Sequence, residues 1–115
     1  MHEYAIASGV VELALRHAGG CRVTAVNLRI GPLRWVVPAT LAVAFELVAR
    51  GTLCEGAVLA QELVPCRLRC PSCAVEWTLE EPDFRCRNCG GPAAVLSGEE
   101  LLLESIELDD EEKAC

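Results

Sequence analysis

Positive charge is scarce in this sequence: ten lysine and arginine residues stand against 17 aspartate and glutamate residues, which gives a formal net charge of −7. Proteins that bind nucleic acids normally present a surface rich in lysine and arginine, which neutralises the phosphates. The charge balance therefore argues against nucleic acid as a partner.

Signals for membranes and secretion are also missing. No apolar run approaches the roughly 20 residues that a helix needs to cross a bilayer. The first 20 residues lack the basic start, the apolar block and the small-residue cleavage site of a secretory signal. We therefore expect a cytoplasmic protein with no membrane partner.

A catalytic constellation is the third absence, because no nucleophile, base and orienting residue can be recognised together. We assign no catalytic residue and expect a protein that is not an enzyme.

The chain has 115 residues, of which 52% are hydrophobic. This is the size of one ordinary domain, or of one domain that carries a small satellite module.

Cysteine, by contrast, is abundant, with eight residues. The cytosol keeps thiols reduced, so metal binding is their favoured use there. The segment CPSC contains Cys70 and Cys73, the segment CRNC contains Cys86 and Cys89, and twelve residues separate the two pairs. This spacing predicts a site of four thiolates, with Zn(II) favoured over iron. Since no ligand position is left for water, we expect the site to be structural.

The other cysteines have no such partner spacing, and we interpret them as ordinary thiols. They are Cys21, Cys54, Cys66 and Cys115.

Hydrophobic periodicity predicts two helices, at residues 3–18 and about 38–50, and three strands, at 21–31, 57–64 and 101–108. The fold class is therefore α+β, with two helices packed on a small three-stranded sheet and an inserted four-cysteine zinc ribbon. The expected domains are an α/β domain, residues 1–65 plus 96–115, and a zinc-ribbon domain, residues 66–95. We expect Trp77 and Phe84 to form the small core of the ribbon.

The opening tripeptide MHE offers a second set of metal donors. The terminal amine of Met1, the backbone nitrogen of His2 and the imidazole Nδ1 of His2 can chelate one ion through a five-membered and a six-membered ring. These donors are nearly coplanar, which suits Ni(II) and Cu(II) better than tetrahedral Zn(II). The fourth donor is either the backbone nitrogen or the carboxylate of Glu3. The simpler alternative is a plain chain end, with Glu3 as an acidic residue near a helix start.

Four segments together carry a resemblance to a known family. They are the start MHEYAIASGVVELAL, the central IGPLRWVVPATLAVAFELVARGTLCEGAVL, the paired CPSC and CRNC, and the closing LLLESIELDDEE. In this combination the sequence resembles the HypA/HybF family of hydrogenase maturation factors over essentially its whole length.

The resemblance implies a nickel metallochaperone that delivers Ni(II), its transient cargo, during maturation of [NiFe]-hydrogenase. The implied partners are the GTPase HypB, the hydrogenase large-subunit precursor and, in some organisms, urease maturation proteins. Nickel is implied at Met1, His2 and Glu3, in the α/β domain. Structural Zn(II) is implied at the four cysteines of the paired CxxC segments. Whether the protein is a monomer or a homodimer stays open.

The alternative function is a zinc-ribbon module that binds nucleic acid or a transcription complex. Its local basic candidates are Arg67, Arg69, Arg85 and Arg87. A salt-dependent gel shift would distinguish this alternative from the metallochaperone.

Overall fold

The structure is a computed structural model that describes residues 2–109. Within this range the chain divides into two compact units, which we describe separately. Unit 1 contains residues 2–29, 36–62 and 102–109, and unit 2 contains residues 30–35 and 63–101. The predicted domain boundaries concern the same division but place residues 30–35 outside the cysteine module; they stay a prediction.

Unit 1 begins with α1, His2–Ala18, which ends at two glycines in the left-handed conformation, Gly19 and Gly20. Its core-facing stripe is rich in alanine, and the buried residues are Ala7, Val10, Val11, Ala14 and Ala18. Small side chains allow a helix to approach its neighbour closely, and α1 packs against the second helix. The predicted helix is therefore confirmed.

The second helix, α2, spans Pro38–Ala49 and begins with proline at its first position, where no intrahelical N–H bond is lost. Leu41, Ala44 and Phe45 are buried as the periodicity predicts. The fourth buried position is Ala49, whereas Val48 is only half-buried. The helix therefore lies where it was predicted, but at its C-terminal end Ala49 is buried instead of Val48.

Three strands form the sheet of this part of the fold: β1, Val23–Ile30, β2, Val58–Leu63, and β6, Leu101–Leu108. Their order in the sheet is β2-β1-β6, so the central strand is the first one in the chain. Val26, Leu28 and Ile30 alternate as buried residues along β1, as period-2 alternation predicts. The predicted three-stranded sheet is confirmed.

Unit 2 contains a smaller sheet of three short strands: β3, Arg67–Arg69, β4, Glu76–Thr78, and β5, Ala94–Ser97. The order is β4-β3-β5, and both pairs are antiparallel. Leu68 on the central strand is fully buried and lies opposite Trp77 on β4. Phe84 is 40% exposed, so the expectation that it belongs to the core is wrong. Leu68 and the buried cysteines take that place.

Residues 30–35 belong to unit 2 because they bond to residues 98–100. The Gly31 N–H donates to the Glu100 carbonyl at 2.8 Å, and the Leu33 N–H donates to the Gly98 carbonyl at 2.9 Å. The approach is close enough that a Cβ at Gly31 would collide with the Gly98 backbone. Glycine is therefore required at position 31 for steric reasons.

Candidate metal centres

The four paired cysteines converge in unit 2. The Sγ atoms of Cys70, Cys73, Cys86 and Cys89 all lie within 4.8 Å of one another, and those of Cys70 and Cys89 are 3.6 Å apart. Four thiolates around a tetrahedral Zn(II) with Zn–S bonds of about 2.3 Å have sulfurs about 3.8 Å apart. The sequence prediction that these residues form one cluster is confirmed by this geometry.

The two CxxC segments fold into loops with the same backbone pattern. In the first loop, the Ala74 N–H donates to the Cys70 carbonyl at 2.8 Å and the Cys70 N–H donates to the Val75 carbonyl at 2.9 Å. In the second loop, Gly90 and Gly91 make the equivalent bonds with Cys86, at 2.8 and 2.9 Å. Each loop therefore closes on its first cysteine.

Backbone N–H groups point at the sulfurs from both loops. The donors are Cys73 to the Sγ of Cys70, Asn88 to the Sγ of Cys86 and Gly91 to the Sγ of Cys89, each at 3.4 Å. Hydrogen bonds to the charged form of an acid favour that form. These donors thus stabilise thiolates at the centre of the cluster.

One side chain connects the two loops. The amide Nδ2 of Asn88, in the second loop, donates to the Sγ of Cys73, in the first, at 3.4 Å. Groups that hydrogen-bond to metal ligands orient these ligands and tune their charge. This role could not be predicted, because the CxxC spacing carries no information about which intervening residue faces the opposite loop.

The protonation of the cluster without metal is uneven. The Cys73 N–H lowers the pKa of Cys70 to about 7, with further help from the thiol of Cys89. The Gly91 N–H lowers the pKa of Cys89, but hydrogen bonds with the Cys70 and Cys73 thiols raise it by more, to about 11. Four thiolates at this separation repel one another, so full deprotonation requires a cation at the centre.

These residues fit Zn(II), because they supply four soft, deprotonatable donors with the right separation and with N–H donors behind them. Zinc in such a set supplies a crosslink between the two loops and contributes directly to folding. All four positions are occupied by protein sulfur, which leaves the centre closed to substrate.

The residues of the second predicted metal site lie at the start of α1 in unit 1. Met1 is outside the described residues, His2 is the first residue of α1, and Glu3 is in its first turn. The Glu3 Oε2 accepts a hydrogen bond from the Val37 N–H at 3.2 Å, and this bond lowers the pKa of the Glu3 carboxyl. This contact joins residues 34 positions apart, so local sequence patterns do not predict it.

Of the remaining cysteines, those between residues 2 and 109 are not grouped with the four-cysteine cluster. Cys54 and Cys66 are buried free thiols, and burial raises the pKa of both. They are ordinary thiols, as predicted. Cys21 is disulfide-bonded, so the prediction is wrong for that residue. Cys115 lies outside the described residues.

Several arginines of unit 2 are already engaged by acidic or polar groups. The Arg85 side chain bonds to Asp83 at 3.2 Å, and Arg67 bonds to Thr78 at 2.8 Å and lies 3.8 Å from Glu76. This pairing reduces the positive field that a phosphate backbone would meet. The alternative of a nucleic-acid module gains no support from these contacts.

Between residues 2 and 109, no helix has the length and apolar character that crossing a membrane requires.

Two helices with a small sheet and a four-cysteine loop pair define a small α+β protein with a zinc-ribbon type of metal centre. A family model described as "Hydrogenase/urease nickel incorporation, metallochaperone, hypA" matches residues 1–108. The chain therefore belongs to the HypA family of metallochaperones, and the resemblance seen in the sequence is confirmed. Since the family is one of metallochaperones, the prediction that the protein is not an enzyme is also confirmed.

Individual relatives agree with the family match. The hydrogenase maturation factor HypA of Geobacter metallireducens is 44% identical over 110 residues, which cover 95% of this chain and 100% of the relative. HypA of Streptomyces avermitilis is 43% identical over 116 residues, covering 96% and 88%. The solution structure of the Ni metallochaperone HypA from Helicobacter pylori matches with a TM-score of 0.67 at 25% identity, covering 94% of this chain and 97% of that one.

Proposed function

We propose that this protein binds Ni(II) at its amino terminus and delivers it for maturation of [NiFe]-hydrogenase, with a role toward urease in organisms that contain it. The family match over residues 1–108 carries the assignment of nickel handling. The proposed donors belong to Met1, His2 and Glu3, and the proposed resident metal of Cys70, Cys73, Cys86 and Cys89 is structural Zn(II).

The start of α1 supports the choice of nickel donors. The first four N–H groups of an α-helix have no acceptor within the helix. The backbone nitrogens of His2 and Glu3 belong to this set, because α1 begins at His2. Deprotonating them for Ni(II) therefore breaks no bond of the helix ladder. Together with the terminal amine and the His2 imidazole, the His2 backbone nitrogen supplies three nearly coplanar donors, which suit the tetragonal geometry that Ni(II) favours.

The two proposed centres suit opposite tasks. The cysteine centre is closed, and Cys70 and Cys86 are buried. The His2 side chain, in contrast, is exposed at a helix end. A partner's ligands can therefore reach nickel there and displace the imidazole. Zinc stays in place while nickel is exchanged.

The proposed partners follow from this role. They are the GTPase HypB and the hydrogenase large-subunit precursor, with urease maturation proteins as further candidates, in the cytoplasm. A hydrogenase maturation factor must contact its maturation machinery, and the relatives of this chain carry that description. We make no choice between a monomer and a homodimer.

The first experiment is a Ni(II) titration of untagged, zinc-loaded protein, read by calorimetry and by the visible absorption of planar nickel. The chain contains two histidines, so His17→Ala is a matched control for His2→Ala. We expect one nickel per chain in the wild type and in His17→Ala. We expect His2→Ala to lose at least about 100-fold in affinity, or about 2.7 kcal/mol, with its zinc retained.

Equal nickel binding by all three proteins, or by none, would contradict the proposed site. An added residue before Met1 provides a second check, because it removes the terminal amine while leaving the fold intact. A gel shift that weakens steeply with salt would instead favour the nucleic-acid alternative.

A further inference from the structure

Two helix starts meet in unit 1. The first turn of α1 contains Glu3, and the residue that caps the start of α2 is Val37. Val37 has an extended backbone (φ −90°, ψ 110°) and an apolar side chain that supplies no capping oxygen. The Glu3 carboxylate accepts the N–H of Val37 itself at 3.2 Å, a bond that the glutamate of a capping box makes within one helix.

The electrostatics of this place favour an anion. Each helix start carries a partial positive charge of about half an electronic charge from its unpaired N–H groups. The hydrogen bond between Glu3 and Val37 brings the two positive ends together. A dication bound to the start of α1 would be repelled by both, and a carboxylate between them offsets that repulsion.

We propose that Glu3 is a positioning residue of the nickel site: its carboxylate fastens the first turn of α1 to the start of α2. This inference rests on the proposed function. It assigns the Glu3 carboxylate to the Val37 N–H and not to the metal.

The hydrogen bond is tested without nickel, by amide hydrogen exchange of Val37 in zinc-loaded protein. We expect Glu3→Ala to raise the exchange rate of Val37 at least tenfold. Glu3→Gln, which keeps an acceptor oxygen, should retain most of the protection. The control is Glu12→Ala, because Glu12 is an exposed carboxylate of the same helix that pairs with Arg16. Val37 exchange that is unchanged in Glu3→Ala, or as fast in Glu3→Gln as in Glu3→Ala, overturns the proposal.

The role toward nickel is tested from both sides of the bond. Val37→Pro removes the N–H donor without touching α1, at a position whose φ of −90° is near the value that proline takes and whose side chain is 54% exposed. We expect Glu3→Ala and Val37→Pro each to weaken nickel binding about tenfold. The double variant should be no weaker than either single one, because both remove one interaction.

The absorption band of planar nickel distinguishes positioning from ligation. If the Glu3 carboxylate positions the site without binding the metal, Glu3→Ala keeps the band at the wild-type wavelength and lowers only the affinity. A shifted band would show that the carboxylate is a ligand and would overturn the proposal. Failure of wild-type protein to bind nickel at the terminus would refute the proposed function, and the exchange of Val37 would still report on the hydrogen bond.

Discussion

The two CxxC loops differ at one backbone position that both hold in the left-handed conformation. That position is Gly90 in the second loop, with φ 73°, and Ala74 in the first, with φ 57°. Both residues donate their N–H to the carbonyl of the first cysteine of their loop, at 2.8 Å. The same bond is thus made by a residue that favours this conformation and by one that does not.

The comparison shows that the metal centre requires a left-handed backbone at this position but does not require glycine there. At φ 57°, Ala74 lies within the small left-handed region open to L-residues, whereas Gly90 lies beyond its usual limit of about 70°. Zinc binding by structural sites contributes about 10 kcal/mol or more. A strain of about 1 kcal/mol at one position is small in comparison.

Replacing a cysteine of the cluster should have the largest effect on zinc affinity. The effect should be the same for both loops. We expect Cys70→Ser and Cys86→Ser each to lower zinc affinity at least about a thousandfold, or about 4 kcal/mol, because each removes one thiolate of four. Competition with a chelator of known affinity measures this loss. Ser72→Ala, which changes an exposed residue that supplies no thiolate, is the control; wild-type affinity in either cysteine variant would contradict the shared centre.

Replacing the glycine of the second loop should have a smaller effect. A Cβ at Gly90 meets no atom of the described residues within 4 Å, so the cost of Gly90→Ala is conformational rather than steric. We expect a loss of about 1 kcal/mol, seen as a roughly fivefold weaker zinc affinity. Gly56→Ala is the matched control, because Gly56 also has a positive φ, 80°, but lies in unit 1. A similar change in zinc affinity in both variants would show that the effect is not local.

Replacing Ala74 of the first loop by glycine should have the smallest effect on zinc affinity, and it should raise the affinity instead of lowering it. Ala74→Gly relieves a left-handed alanine but adds freedom to the unfolded chain, and the two contributions partly cancel. We expect zinc affinity to rise about twofold, or about 0.4 kcal/mol. The same chelator competition checks this value. A weaker affinity would mean that the unfolded-state contribution is the larger one.

Local patterns predict the two helices, the three strands of the larger sheet and the cysteine cluster, but not the three short strands of unit 2. The third strand of the main sheet lies at residues 101–108 as predicted, and the spacing of the two CxxC pairs identified all four members of the cluster. Both signals depend on residues close together in sequence. Hydrophobic periodicity and turn chemistry act over such distances, so they can be read without a structure.

Contacts between distant segments could not be predicted in this way. Glu3 reaches Val37 across 34 positions, and Gly31 approaches Gly98 across 67. Asn88 lies next to a predicted ligand, yet nothing local indicates that its amide faces Cys73. Each contact forms because the fold brings two segments that are distant in sequence next to each other. Side-chain type alone therefore did not reveal the anchoring role of Glu3.

The bonds of Gly31 and Leu33 to residues 98–100 have a consequence for anyone who wishes to transplant the cysteine module. A peptide of residues 63–101 contains every cysteine of the cluster but lacks residues 30–35, which belong to the same unit. The carbonyls of Gly98 and Glu100 would lose their N–H partners in such a fragment. Residues 63–101 alone are therefore not a complete structural unit. A transplanted cysteine module must also include residues 30–35.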